Sequence, residues 1–156
     1  MRFNGVYVAA EVEQAITGAD GLVELQVPTN VQIVVLRVWV SADQGTSQLD
    51  EGLTVELYSN DGVATGGLGL TEKEVQGAAD GASAVVALGG ATVAATPEPL
   101  IPSIEHTQNG WLYVPTPDEA ERIAGGTTFD NIGTRFTTAP SASGTFSYGI
   151  KWGELA

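Results

Sequence analysis

Along the whole chain, apolar residues recur at every second position or in short runs, and glycine, proline, asparagine or aspartate cuts off most of these runs. A period of two puts alternate side chains on opposite faces of a strand, whereas an amphipathic helix needs a period near 3.6. Leu22-Val23-Glu24-Leu25-Gln26-Val27 alternates after the turn signal Asp20-Gly21, and Pro28-Thr29-Asn30 ends it. Leu53-Thr54-Val55-Glu56-Leu57-Tyr58 alternates cleanly and runs into Asn60-Asp61-Gly62. The strongest strand is Val31 to Ser41, rich in β-branched residues and apolar on both faces through its middle. That pattern predicts a central strand covered on both sides. Arg37 interrupts it, either as a stem reaching the sheet's rim or as half of a buried salt bridge.

The other segments are shorter. Gly5 to Ala15 alternates in part, Gly110 to Val114 is an aromatic strand, and Thr127 to Thr138 and Gly144 to Trp152 read as two more. Two weak strands are expected near Glu72 to Gln76 and Ala84 to Leu88, in a Gly/Ala-rich stretch where little side chain specifies register. Gly66-Gly67-Leu68-Gly69 reads as a flexible loop, Pro97, Pro99 and Pro102 as an exposed crossing, and Pro117 to Arg122 as one helical turn. Eight to ten short strands without a long helix predict an all-β chain, an antiparallel two-sheet β-sandwich, with a jelly roll as one winding. The organisation expected is one domain over 1–156, with a possible N-terminal arm at 1–9 and a Gly/Ala-rich loop region at 60–102. No fixed-period repeat points to a solenoid or propeller.

Composition narrows the function. Six Lys and Arg stand against 19 Asp and Glu, a formal net charge of −13. Arg2, Arg37, Lys73, Arg122, Arg135 and Lys151 are scattered singly, so no basic cluster is available for nucleic acid or an anionic membrane. The absence of cysteine removes disulfides, thiolate metal sites and Cys nucleophiles, and leans toward folding in the cytosol. The first residues lack the apolar stretch of a signal peptide, and the longest apolar runs are far too short to span a bilayer. A soluble chain is expected.

Chemistry is sparse. The one histidine, His106, has no serine in a Gly-x-Ser-x-Gly elbow to serve. The paired acids Asp50-Glu51, Glu72 with Glu74, and Asp118, Glu119 and Glu121 read as solvated faces. No calcium loop fits, although the last three could attract Ca²⁺ opportunistically. Gly66 to Gly69 lacks the Gly-Lys-Ser/Thr that holds phosphate. No catalytic residue, no metal ligand and no cofactor is therefore assigned. Trp39, Trp111 and Trp152 read as core or core-edge residues. Trp111 and Tyr113 share one face of their strand and are the pair for an aromatic platform or interface anchor.

Three segments carry a resemblance. They are Ser41-Ala42-Asp43-Gln44-Gly45 with Glu51 to Leu57, then Gly110-Trp111-Leu112-Tyr113-Val114-Pro115-Thr116-Pro117-Asp118-Glu119, and the closing Ser143 to Leu155. Together, over about a third of the chain, they resemble small capsid decoration (cement) proteins encoded with the head genes of tailed bacteriophages. The acidic run after Pro117 is longer than in that family, and Gly153 stands where an acid is usual. The resemblance implies a β-sandwich virion protein, not an enzyme, that binds the outside of an assembled shell. It implies the major capsid protein and sister copies, as a homotrimer, for partners, no nucleic acid or membrane, and location on the capsid surface after assembly in the host cytoplasm. Arg2, Phe3 and Tyr7, in a segment able to add to a neighbour's sheet edge, join Trp111 and Tyr113 as candidate partner-binding residues. The competing expectation is a carbohydrate- or receptor-binding module of a fibre or adhesin.

Overall fold

A computed structural model of the protein describes residues 2–16, 21–42, 52–60, 64–77, 83, 85–90, 92–93, 97–106, 110–116, 118–126, 130–140 and 144–155. In chain order the strands are β1 (Phe3–Ile16), β2 (Gly21–Gln26), β3 (Gln32–Ala42), β4 (Leu53–Asn60), β5 (Leu68–Leu70), β6 (Lys73–Gly77), β7 (Val86–Gly89), β8 (Glu98–His106), β9 (Trp111–Tyr113), β10 (Arg122–Ala124), β11 (Asn131–Phe136) and β12 (Gly144–Leu155). Among the described residues there is no helix. Two six-stranded antiparallel sheets result: sheet A in the order β10-β3-β12-β1-β6, with β9 also on β3, and sheet B in the order β5-β7-β2-β11-β4-β8. The core between them joins Tyr7, Val35, Val38, Ile150 and Trp152 of sheet A to Val23, Leu25, Leu57, Ile132 and Phe136 of sheet B.

The pairing is nested. β1 pairs with β12, β2 with β11, β3 with β9 and β10, and β4 with β8. The same winding brings β3 beside β12 and β4 beside β11. Adjacent strands are therefore mostly far apart in sequence.

A bulge in β3 decides which side chains face outward. Lys151 pairs with Arg37 and Trp152 with Val35, so Leu36 is the unpaired extra residue. Ile33 and Val35 face the core before the bulge, and Val38 and Val40 face it afterwards. Without the extra residue, period two would carry Arg37 and Trp39 inward. Arg37 is instead exposed, with its guanidinium carbon 5.5 Å from the Trp39 ring centroid. Of the two expected roles of Arg37, the exposed one holds. The outer face of β3 is open beyond the bulge, not covered through the middle as its apolar run suggested.

Several expectations are corrected. Among its described residues, the stretch 60–102 is not a loop region: it contributes β5, β6, β7 and the start of β8. β6 extends sheet A beyond β1, while β7 and β5 extend sheet B beyond β2. The two weak strands are thus present as β6 and β7. The expected flexible loop contains β5, entered through the left-handed Gly66 and Gly67 (φ 73 and 78), a conformation glycine adopts freely. The proline-rich crossing is strand β8, at the edge of sheet B, where a residue without an N–H is tolerated. Register shifts at Val55/Leu57 and Leu57/Tyr58 accommodate it.

Pro117 to Arg122 forms no helical turn among its described residues. The Glu119 N–H donates to the Thr116 carbonyl at 3.0 Å, and the Thr116 hydroxyl donates to Glu119 Oε2 at 2.7 Å. Pairing of Ile123 with Ile33 then draws the chain into β10. The segment 1–9 is no arm from Phe3 onward, because β1 is paired on both sides, by β12 and by β6.

Candidate functional site

The strand register places three rows of side chains on the outer face of sheet A. The first row is Leu112, Trp39, Gly149 and Ala10. The second is Arg37, Lys151, Val8 and Lys73. The third is Arg122, Val34, Gly153 and Val6, of which only Arg122 is exposed. Their neighbours along each strand, among them Tyr7, Ala9, Val38, Ile150 and Trp152, belong to the core, which fixes these rows as outward.

Four of the six basic residues therefore share this face, and no Asp or Glu occupies a paired position in the three rows. Arg37 and Lys151 stand directly opposite each other, an arrangement that is unfavourable by itself. Among the described residues the recorded ion pair is elsewhere, Arg135 with Glu56.

Two glycines shape the surface. A Cβ on Gly149 would lie 2.2 Å from Trp39 Cζ2, and one on Gly153 would lie 2.4 Å from the Phe3 ring. Trp39 and Phe3 thus lie flat on β12, half-buried, on either side of the cation row. Leu112 is 56% exposed and Val114, just beyond β9, is 61% exposed.

A second polar cluster lies in sheet B. The Tyr58 hydroxyl donates to Glu24 Oε2 at 2.7 Å, and the Ala64 N–H donates to Glu24 Oε1 at 3.3 Å. Arg135 donates to Glu56 Oε1 through Nε at 3.0 Å and Nη2 at 2.9 Å, and its guanidinium carbon lies 5.8 Å from the Tyr58 ring centroid. Burial pushes the Glu24 carboxyl above its ordinary pKa, against the opposing bonds from Tyr58 and Ala64. Burial, and next the Glu24 charge, push the Tyr58 hydroxyl up as well. Perturbed acids often mark active sites, but Glu24 and Tyr58 are 1% and 0% exposed. A substrate has no path to them in this conformation, and the geometry is that of an internal polar network.

The five residues singled out from sequence do not converge. Arg2 is exposed just ahead of β1, and Phe3 lies on the outer face of sheet A. Tyr7 is buried, stacked on Trp152 with ring centroids 5.8 Å apart. Burial, then Glu154 and Glu74, raise its pKa. Trp111 and Tyr113 do stack, at 6.4 Å and 8°, but Trp111 is a core residue and Tyr113 packs against the same core. They form no exposed platform. Of the three tryptophans, Trp111 and Trp152 are core, and Trp39 lies on the outer face.

The His106 side chain, Asp50 and Glu51 lie outside the described residues. Asp118 and Glu119 are exposed and Glu121 half-buried, and among the described residues no three acids or histidines are grouped to hold a metal. Sequence reasoning missed Trp39, Arg37, Lys151, Lys73 and Arg122 as a set, because only long-range pairing brings them together. No family model, curated protein or solved structure matches this chain.

Proposed function

We propose that this chain is a non-enzymatic virion structural protein, a capsid decoration (cement) protein that docks on the outer surface of a tailed-phage head. The observation that carries the reading is the outer face of sheet A. It is an apolar and cationic surface on which the half-buried Trp39 and Phe3 flank the cation row and Leu112 and Val114 are exposed. Exposed apolar surface rimmed by polar groups marks a contact site more often than a solvated one. The nested strand pairing supports a jelly-roll winding, an architecture found in viral capsid domains and in lectins.

Docking by edge-strand addition is disfavoured. β5, β9 and β10 are three residues each, β8 carries Pro99 and Pro102, and β6 has a register shift at Val6/Tyr7 and begins with Lys73. Short, proline-bearing or irregular edges resist added strands. The glycan-binding alternative rested on Trp111 and Tyr113, and the inward stack of this pair removes that support. The major capsid protein is the expected partner, and the capsid surface is the expected location.

Co-sedimentation with assembled heads tests the reading. The full chain is expected to pellet with expanded heads and saturate, and the W39A variant to bind at least tenfold more weakly. Failure of the full chain to bind heads refutes the proposal.

A further inference from the structure

We propose that the partner surface met by the outer face of sheet A is acidic: a protein surface whose Asp and Glu side chains face Arg37, Lys151, Lys73 and Arg122 while an apolar group covers Trp39 and Leu112. This rests on the docking reading and specifies the chemistry of its partner.

Charge segregation is the argument. The chain has 19 acidic and six basic residues, yet four of the six basic residues fall on one face and no acid occupies a paired position in its three rows. Arg37, Lys151 and Lys73 lie along one line across four strands, with Val8 between the two lysines. Neighbouring strands are about 4.8 Å apart, so the three cations span roughly 14 Å. The direct Arg37–Lys151 opposition is costly in the free protein, and among the described residues neither has a carboxylate partner. An acidic partner removes that repulsion and adds attraction, so the face gains more from such a partner than from a neutral one.

The apolar rows on both sides fit a protein surface better than a phosphate backbone. Arg37 already lies over Trp39, which leaves that ring poorly placed to stack on a base. The three rows extend over about 25 by 20 Å with side-chain margins, but Val34, Val6, Gly149 and Gly153 are buried within the chain, so the contact offered is below about 500 Å² per partner. Twice that falls short of the ~1,000 Å² total at the lower end of specific interfaces. A single contact is therefore weak, and occupancy depends on many equivalent sites on an assembled surface.

The test uses poly-L-glutamate and assembled heads as separate probes, with the full chain and the variants K151E and K73E/K151E. Wild type is expected to bind poly-L-glutamate at about 50 mM salt and to lose most of that binding by 200 mM. K151E is expected to bind at least tenfold more weakly while melting no lower than wild type, because an acid at position 151 would face Arg37. Circular dichroism and melting confirm that each variant folds. No binding of poly-L-glutamate, or equal binding by K73E/K151E, overturns the proposal. So do equally tight binding of duplex DNA and self-association that these variants abolish. If wild type and K73E/K151E bind heads equally, the acidic-partner inference fails and docking stands. If wild type binds poly-L-glutamate but not heads, docking on heads fails and the acidic preference stands.

Discussion

Tyr58→Phe isolates one hydrogen bond at a point where the fold seals a carboxylate from water. The hydroxyl donates to Glu24 at 2.7 Å, and the two residues are 0% and 1% exposed. The phenylalanine ring fills the same space over Gly133, so almost no cavity opens. What is lost is a bond to a buried carboxylate, worth about 1.5–3 kcal/mol when the acceptor is charged. For a domain of this size each kcal/mol moves Tm by about 2–4 °C, so a fall of roughly 3–12 °C is expected at pH 7. The effect depends on pH with a definite sign. Burial raises the folded-state pKa of Glu24, so the fold binds its proton more tightly than the unfolded chain does. The stability contributed by this group is complete below the unfolded carboxyl pKa and is lost as pH rises through the folded value. Removing the Tyr58 bond raises the folded pKa further, so the gap between wild type and variant widens with pH. Urea unfolding at pH 4.5 and pH 7, followed by tryptophan fluorescence, measures both quantities. A loss below about 0.5 kcal/mol at pH 7, the size of an ordinary surface change, or an equal loss at both pH values refutes the reasoning.

Glu24→Gln removes the ionisable group, so between about pH 4.5 and 7 its Tm should gain on wild type as pH rises; parallel Tm–pH profiles would refute this. Gly149→Ala drives a methyl into Trp39, 2.2 Å from Cζ2. The indole must lift off the sheet, at about 1–2 kcal/mol, and acrylamide quenching should rise because Trp111 and Trp152 stay buried; unchanged quenching contradicts the packing. Gly125→Ala puts its Cβ 1.8 Å from the Pro28 carbonyl oxygen, a backbone clash expected to cost about 3 kcal/mol in urea unfolding. Thr134 is fully buried, and its hydroxyl has no partner among the described residues. Thr134→Val should therefore leave stability unchanged or raise it by about 1 kcal/mol, and a clear loss in the same assay would show that the hydroxyl is satisfied.

Strand identity was legible wherever side chains alternate strongly. Leu22 to Val27, Leu53 to Tyr58 and Val31 to Ser41 became β2, β4 and β3 with small shifts at their ends. The prolines at 97, 99 and 102 misled, because proline reports a missing N–H and not whether a neighbour needs that N–H. At the edge of sheet B several positions do not. The Gly/Ala-rich stretch misled for a different reason. β6 and β7 are specified less by their own side chains than by the open sides of β1 and β2 that they cover, and β5 in turn by the open side of β7.

The amino-acid order alone determined the strand period, the all-β class and the two-sheet architecture, because side-chain alternation is a local property of each segment. It also determined the net charge of −13, but not where that charge lies. The basic residues 37, 73, 122 and 151 look isolated along the chain, and only the antiparallel registers of β3, β6, β10 and β12 bring them onto one face. Whether Arg37 and Trp39 point outward or into the core turns on one extra residue, Leu36. That bulge exists because it keeps Val35, Val38 and Val40 all in the core beside β12. Register and bulge position are settled by how two distant strands bury their apolar faces together, so the outer surface of sheet A belongs to the tertiary structure.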